Sequence, residues 1–401
     1  MNYETGSVED APESATLDSA GATVLVIHPS VELYGADRML LESVAALTEA
    51  GWRIVVVVPG EGPLVPLLEA TGVRVIRVNS PVLRKAFLTP RGFLTLARSS
   101  ARALPAVWRV LGQSGVSAVY VSTLTVPMWL VLARARRLPV VCHVHEAEEA
   151  ASVWVRRALA LPLFLADQVV MNSEASRQVV VDDLPRLRNR SRVVYNGVAG
   201  PEVAVPPRST LSDPVRLVLV GRVSPRKGTD VAVDALGLLV AAGRDVTLDI
   251  VGGVFPGYEW FEEQVREQVT TAGLGARVRW RGVLSDPWGS LSAADVALIP
   301  SRAEPFGNTA VEAMLALRPL VVSATQGLRE IVDPGSDGET AVPGDPRSLA
   351  AGIERLLDDW PRACARARVA AERAATRFSL GRYRAELNEV ITEVVAARRV
   401  S

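Results

Sequence analysis

Two segments of this chain hold side chains suited to anion and hydroxyl chemistry. Gly221-Arg222-Val223-Ser224-Pro225-Arg226-Lys227-Gly228 follows an apolar run and sets two cations around a turn. Arginine offers a planar fork of donors and lysine a point charge, so Arg222 and Lys227 can converge on one diphosphate. Read alone, the loop is equally a solvated basic turn. Glu304-Pro305-Phe306-Gly307-Asn308-Thr309 then leads into a helical pattern carrying Glu312. A helix beginning near Asn308 aims free backbone N–H groups and the positive end of its dipole at an anion. Carboxylates at Glu304 and Glu312, either side of that start, can accept hydrogen bonds from sugar hydroxyls. The plainer readings are a helix-surface charge for Glu312 and a dipole-stabilised acid for Glu304.

A third segment is Cys142-His143-Val144-His145-Glu146. Two residues apart on a strand, His143 and His145 share a face. Three readings stand: a metal site completed by Glu146 or His28, a buried structural role for His143, and an active-site role for His145 at the strand's end. The spacing is not one of the common metal-ligand patterns, and no metal is expected. Near the N-terminus, His28 precedes a loop with Tyr34-Gly35-Ala36-Asp37. Gly35 there permits close backbone approach to an anion at a helix start, or marks an ordinary strand-to-helix turn. A G-x-G-x-x-G fingerprint is missing, which argues against a dinucleotide oxidoreductase.

These residues need a frame. Short Val/Ile-rich runs alternate with amphipathic stretches: Thr23–His28, Arg53–Val58, Val73–Val78, Ala118–Val121, Val140–Val144, Val169–Met171 and Arg192–Tyr195. Such runs suit strands buried on both faces, and the alternation predicts a parallel sheet with helices on both sides. Four prolines interrupt the rhythm in 199–214, and it restarts with Val215–Val220, Val246–Val251, Val278–Val283, Val296–Ile299 and Leu320–Ser323. Thr229 is placed to cap a helix. The fold class is therefore α/β, two doubly wound Rossmann-like domains facing a cleft. The expected division is 1–20 an acidic disordered tail, 21–200 a first Rossmann-like domain, 201–214 a linker, 215–380 a second such domain, and 381–401 a closing helix packing back on the first domain. Tyr383, Leu387, Ile391 and Val394 form the stripe of that helix. Ligands belong beyond the C-terminal ends of the strands, where the motifs lie.

Composition narrows the class. The 401 residues are 49% hydrophobic and 22% charged, with 44 basic and 44 acidic residues. That excludes a disordered chain and gives no electrostatic footprint for nucleic acid. Lys85 and Lys227 are the two lysines; in an arginine-rich chain, the one in the candidate phosphate loop stands out. Two cysteines, Cys142 and Cys364, suit a reducing, cytoplasmic setting. Residues 1–20 lack the basic start and apolar run of a signal peptide, and no run of about 18 apolar residues is present to cross a membrane.

Together these motifs resemble the family 4 retaining glycosyltransferases of GT-B fold, over about 22–395. Glu304-Pro-Phe-Gly…Glu312 resembles the family's E-x7-E motif, and Gly221-Arg222…Lys227-Gly228 its G-R-x-x-x-x-K-G loop. Tyr195-Asn196-Gly197-Val198 resembles the N-G-V turn. Gly327-Leu328-Arg329-Glu330-Ile331-Val332 resembles G-G-x-x-E-I-V, with Leu328 for a glycine. Tyr34-Gly35-Ala36-Asp37 resembles G-G-A-E, with Tyr34 and Asp37 as departures. The resemblance implies that Arg222 and Lys227 bind the donor diphosphate and that Glu304 holds hydroxyls of the transferred sugar. It places Glu312 on the ribose, Phe306, Gly307, Asn308 and Thr309 in the phosphate-facing loop, Gly35 among the donor-binding residues, and Val283 near the base. His145 would sit beside the reacting sugar from the acceptor side. It also implies retention of configuration and no cofactor or metal beyond the nucleotide-sugar donor.

The resemblance also makes 21–200 the acceptor side and 215–380 the nucleotide-sugar side; between Ser80 and Ala160 the former carries eleven basic residues against three acids, interleaved with Phe87, Phe93, Leu96, Leu104 and Trp108. Such a stretch can lie on an anionic membrane, which makes the protein peripheral on the inner face of the cell membrane, or cradle a lipid-diphosphate acceptor. It can equally be a core-facing helix with a solvated basic face. The expected function is transfer to a lipid-linked or polysaccharide precursor. The alternatives are a small soluble acceptor such as an antibiotic aglycone or sugar alcohol, a nucleotide-sugar epimerase, and a non-catalytic nucleotide-sugar-binding protein.

Overall fold

The computed structural model describes residues 21–33, 35–83, 90–145, 153–254, 257–284 and 286–400. The expected acidic tail, Tyr34, Arg84, Lys85, Phe87, Leu88, Glu146, Glu148 and Glu149 lie outside them, as does the Phe93 side chain.

In the first unit the strands are β1 (Thr23–Ile27), β2 (Arg53–Val58), β3 (Arg74–Arg77), β4 (Val116–Val121), β5 (Val140–Val144), β6 (Gln168–Met171) and β7 (Ser191–Val193). The helices are α1 (Gly35–Glu49), α2 (Leu64–Ala70), α3 (Pro90–Leu111), α4 (Pro127–Ala135), α5 (Val153–Ala160) and α6 (Glu174–Asp183). The strand order is β3-β2-β1-β4-β5-β6-β7. All pairings are parallel, so both faces need cover, and β1, β2 and β5 are almost wholly buried.

The second unit repeats the plan. Its strands are β8 (Val215–Val220), β9 (Val246–Val251), β10 (Val278–Gly282), β11 (Val296–Ile299), β12 (Leu320–Ser323) and β13 (Glu339–Ala341). Its helices are α7 (Thr229–Ala241), α8 (Glu259–Thr271), α9 (Trp288–Ala293), α10 (Asn308–Leu315), α11 (Leu328–Ile331), α12 (Pro346–Asp358) and α13 (Trp360–Arg377), and α14 (Leu380–Val400) closes the chain. The order is β10-β9-β8-β11-β12-β13. In each sheet the order reverses beside the first strand, at β1/β4 and β8/β11. These switch points open a crevice at the strands' C-terminal ends.

Two local expectations are corrected. Thr229 does not cap α7: the residue before the helix is Gly228, with φ +69°, and no side-chain cap forms. A Cβ on Gly228 would stand 2.1 Å from the Pro300 carbonyl oxygen, so the turn after Lys227 presses against the end of β11 as only glycine can. The strand expected over Arg192–Tyr195 stops at Val193, because Tyr195 lies in the crossing between units.

The chain crosses at 194–200 and again at 377–380. At the crossings Val198 N–H donates to Phe378 O, 2.9 Å, and a Cβ on Gly197 would meet Tyr383 at 2.8 Å. Helix α14 then lies on the first unit, where Tyr383, Leu387, Val390 and Ile391 join the core of β1, β2 and α1. Truncating one such leucine costs about 2–5 kcal/mol. The proline-rich segment 201–214 is pinned to the second unit: Arg208 pairs with the fully buried Asp295, and Arg318 donates to Val205 O.

Candidate active site

A cleft of about 690 Å³ lies between the units, within the usual range of small-molecule sites. His145, Gly35, Arg222, Lys227, Val283, Glu304, Phe306, Gly307, Asn308, Thr309 and Glu312 all line it, as does His28. They converge because each follows the C-terminal end of a strand or opens the next helix. His28 follows β1, His145 β5, Arg222 and Lys227 β8, Val283 β10 and Glu304 β11.

On the second unit, Glu304 is buried and takes up a cation. Lys227 Nζ donates to its Oε2 at 2.6 Å, Arg226 Nη1 lies 3.4 Å from Oε1, and Ser301 Oγ donates at 3.2 Å. Burial pushes the Glu304 carboxyl up, but the charges of Lys227 and Arg226 and the hydrogen bonds from Lys227 and Ser301 outweigh it and hold the group below the ordinary value. Glu312 goes the other way: burial raises it, and Arg38 and Lys227 only partly offset that.

The loop from Glu304 into α10 is shaped by Gly307, at φ +126°, where a Cβ would stand 2.6 Å from Leu328. Phe306 lines the cleft, and the residue is buried with its ring against Tyr195 and Phe378. Asn308 is the first residue of α10, and its Oδ1 accepts from Asn196 Nδ2 of the crossing segment, 2.9 Å. A Cβ on Gly35 would lie 3.7 Å from Asn308 Nδ2, so that glycine faces α10 across the cleft. Val283 is 80% exposed at the rim.

On the first unit a buried histidine system backs the cleft. His28 bonds Asp37 Oδ1 through Nε2, 2.8 Å, and Ser122 Oγ through Nδ1, 2.5 Å. His143 bonds Tyr120 OH through Nδ1, 2.6 Å, and its ring lies 4.1 Å from that of His145. Burial holds His143 well below the ordinary imidazole value and His145 down at about 3, helped for His145 by the charge of His28. His145 is thus a neutral imidazole at the cleft wall. No three His, Cys, Asp or Glu side chains among the described residues form a metal-ligand group.

No cleft role was read from the sequence for Arg38, Ser122, Asn196 or Arg226, which also line the cleft, although Asn196 stands in the N-G-V turn and Arg226 in the cationic loop. Arg226 adjoins Lys227 and Ser122 ends β4, so position relative to a strand end was the available signal. Arg38 and Asn196 gain their place only from the approach of the two units.

Outside the cleft, α3 presents Leu94, Leu104 and Trp108 to solvent, each at least 42% exposed, while Val107 and Leu111 are core. Trp108 is therefore not a core residue; the Arg136 guanidinium stacks over it at 4.0 Å. An apolar groove of about 380 Å³, lined by Leu83, Leu96, Leu104, Met128 and Val131 among others, runs between α3 and α4. No helix among the described residues is long and apolar enough to cross a membrane.

Comparison with known proteins agrees with this architecture unit by unit. Residues 34–199 match the family described as Glycosyltransferase Family 4, and residues 207–375 that described as Glycosyl transferases group 1. A glycogen synthase of Mycobacterium tuberculosis is 30% identical over 62% of this chain; the match spans 63% of that relative's length. The 2-deoxystreptamine glucosyltransferase of Streptomyces kanamyceticus is 36% identical over 40% of this chain and 41% of its own. The crystal structure of Anabaena HepE in complex with UDP-glucose superposes with a TM-score of 0.77 at 25% identity, covering 94% of this chain and 99% of that one. With a family match along each of its two units and a GT-B neighbour along nearly its whole length, the chain belongs to the family 4 glycosyltransferases of GT-B fold.

Proposed function

We propose that the chain transfers a sugar, with retention of configuration, from a nucleotide-diphosphate sugar to a hydroxyl of a lipid-linked or polysaccharide precursor. The observation that carries this reading is the Lys227–Glu304 pair beside the start of α10, a cation and a hydroxyl-accepting carboxylate held within one bond of each other. A diphosphate on Lys227 and Arg222 places its sugar against Glu304. The α10 backbone N–H groups and the two cations stabilise the leaving diphosphate, which makes a metal dispensable. Glu312 accepts from the ribose, and His145 flanks the reacting sugar from the acceptor side. The HepE complex supports uridine nucleotides as the first donors to test. Between Ala70 and His145 the chain has no Asp or Glu, and α3 and α4 with their apolar groove lie in this stretch. That favours an amphiphilic, anionic acceptor.

The test is a panel of nucleoside diphosphates and their sugars, with binding and donor turnover measured with and without excess chelator. One diphosphate should bind far more tightly than its nucleoside, and turnover should survive the chelator. Equal affinity for diphosphate and nucleoside overturns the donor reading. Turnover lost to chelator and restored by a divalent ion overturns the metal-free one. A second reading, a small soluble acceptor, draws on the 36% identity over 40% of this chain to the 2-deoxystreptamine glucosyltransferase.

A further inference from the structure

Glu330, in the Gly327–Val332 motif, lines no part of the cleft; its carboxylate faces the other unit. Oε2 accepts the Glu174 N–H at 2.9 Å and Oε1 the Ala175 N–H at 2.6 Å. These are the first two amides of α6, which no intrahelical carbonyl can satisfy. A carboxylate there also meets the positive end of the ten-residue helix. Ser173, the N-cap of α6, donates to Pro305 O at 2.6 Å, next to Glu304. The crossing segment joins the same point: Tyr195 OH donates to Glu330 Oε2 at 3.0 Å, and Arg377 donates both to Glu330 O and to Tyr195 OH.

We infer that Glu330 is a positioning residue: its carboxylate, capping α6 across the gap, clasps the two units in the register that sets His145 over the donor site. The donor side does not depend on it. Helix α11 is held by Leu328 and Ile331, both fully buried in the second unit, so the Glu304–Asn308 loop keeps its backing when the carboxylate goes. What is lost is the carboxylate's link to the first unit, leaving the two covalent crossings, the Ser173 and Ser176 bonds to Pro305 O and the Asn196–Asn308 bond.

The kinetic arm of the test rests on the proposed glycosyl transfer; the scattering arm does not. The full chain is compared with Glu330→Ala by small-angle scattering, by titration with UDP, and by release of UDP from UDP-glucose. The variant should show a larger radius of gyration and bind UDP within about threefold of the parent. Its donor turnover should fall by roughly 10²-fold, the scale for an ångström of misplacement. Glu174→Pro serves if Glu330→Ala does not fold. Proline is favoured at the first helical position, Ser173 before it is already extended, and the N–H to Glu330 is removed together with the exposed Glu174–Arg177 ion pair within α6. It should move scattering and turnover in the same direction by less. An unchanged scattering profile with unchanged turnover overturns the clasp. A UDP affinity that falls in step with turnover also overturns it, since Glu330 would then belong to the donor site. If the parent neither binds UDP nor releases it from UDP-glucose, scattering alone decides the clasp and the uridine-donor reading fails separately.

Discussion

Lys227 Nζ rests 2.6 Å from Glu304 Oε2, so the cation proposed for the diphosphate and the acid proposed for the sugar are each other's partners. Donor binding must share or replace this bond. Lys227→Ala should weaken nucleoside diphosphate binding by about 1.5–3 kcal/mol, the worth of a charge-assisted contact, and leave nucleoside binding unchanged. Equal loss for both ligands in calorimetric titration would make the lysine purely structural. The pair also has a pH signature. Because Glu304 is held below its ordinary value, its contribution to stability is present above that value and drains away as pH falls through the lowered one. Lys227→Ala should flatten that acid-side slope in thermal melts.

Glu312 predicts the opposite sign. Its raised carboxyl means that ionisation costs stability as pH climbs past the ordinary carboxylate value. Glu312→Gln should therefore melt higher than the parent at pH 7, and the gap should close near pH 4. The same change should weaken nucleotide binding if the acid holds the ribose, the usual exchange of stability for function. A gain over the parent no larger at pH 7 than at pH 4 would contradict the raised-acid account.

His145, held at about 3, is neutral across pH 5–8. Its imidazole should show no titration near 6.5 by NMR, and the turnover profile should have no limb belonging to it. A histidine depressed in the folded state binds fewer protons than the unfolded chain between about 3 and 6.5. The fold should therefore lose stability as pH drops through that window, and His145→Asn should lose less. A His145 titration between pH 5 and 8 would sink the buried-neutral assignment.

Much of this was legible in the chain, and the illegible part has a common cause. The Val-rich runs gave both parallel sheets, because strands covered on both faces write continuous apolar segments. Strand β13, three residues of mixed polarity, left no such trace. The cationic loop, the Glu304–Glu312 segment and Gly35 reached the cleft because strand ends do so in this topology. The packing of the Phe306 ring on Tyr195 and Phe378, the bond from Asn308 to Asn196 and the cap from Glu330 to α6 depend on the meeting of residues 72 to 156 positions apart. Local spacing carries no information about such meetings. Asp37, a departure from the glutamate of the resembling loop, is committed to His28; a charge balance could not have paired them.

The last prediction concerns the basic face of the first unit. Arg91, Arg98 and Arg102 are exposed along α3, beside the exposed Leu94, Leu104 and Trp108 and the apolar groove. Each arginine near an anionic bilayer contributes about 1 kcal/mol, fading beyond a Debye length of about 8 Å at physiological salt. The parent should therefore sediment with phosphatidylserine vesicles at low salt, and replacing the three arginines with glutamine should release it. Nucleotide affinity should not change, because Arg222, Lys227 and Glu304 lie on the other unit. Salt separates the two forces that could hold the face. If charge dominates, high salt mimics the triple substitution. If the apolar side chains are inserted, binding survives salt, and Leu104→Ser with Trp108→Ser is needed to abolish it. A parent that ignores anionic vesicles at low salt removes the membrane from the account. The groove between α3 and α4 then has no bilayer to draw a lipid acceptor from, and the soluble acceptor becomes the better reading.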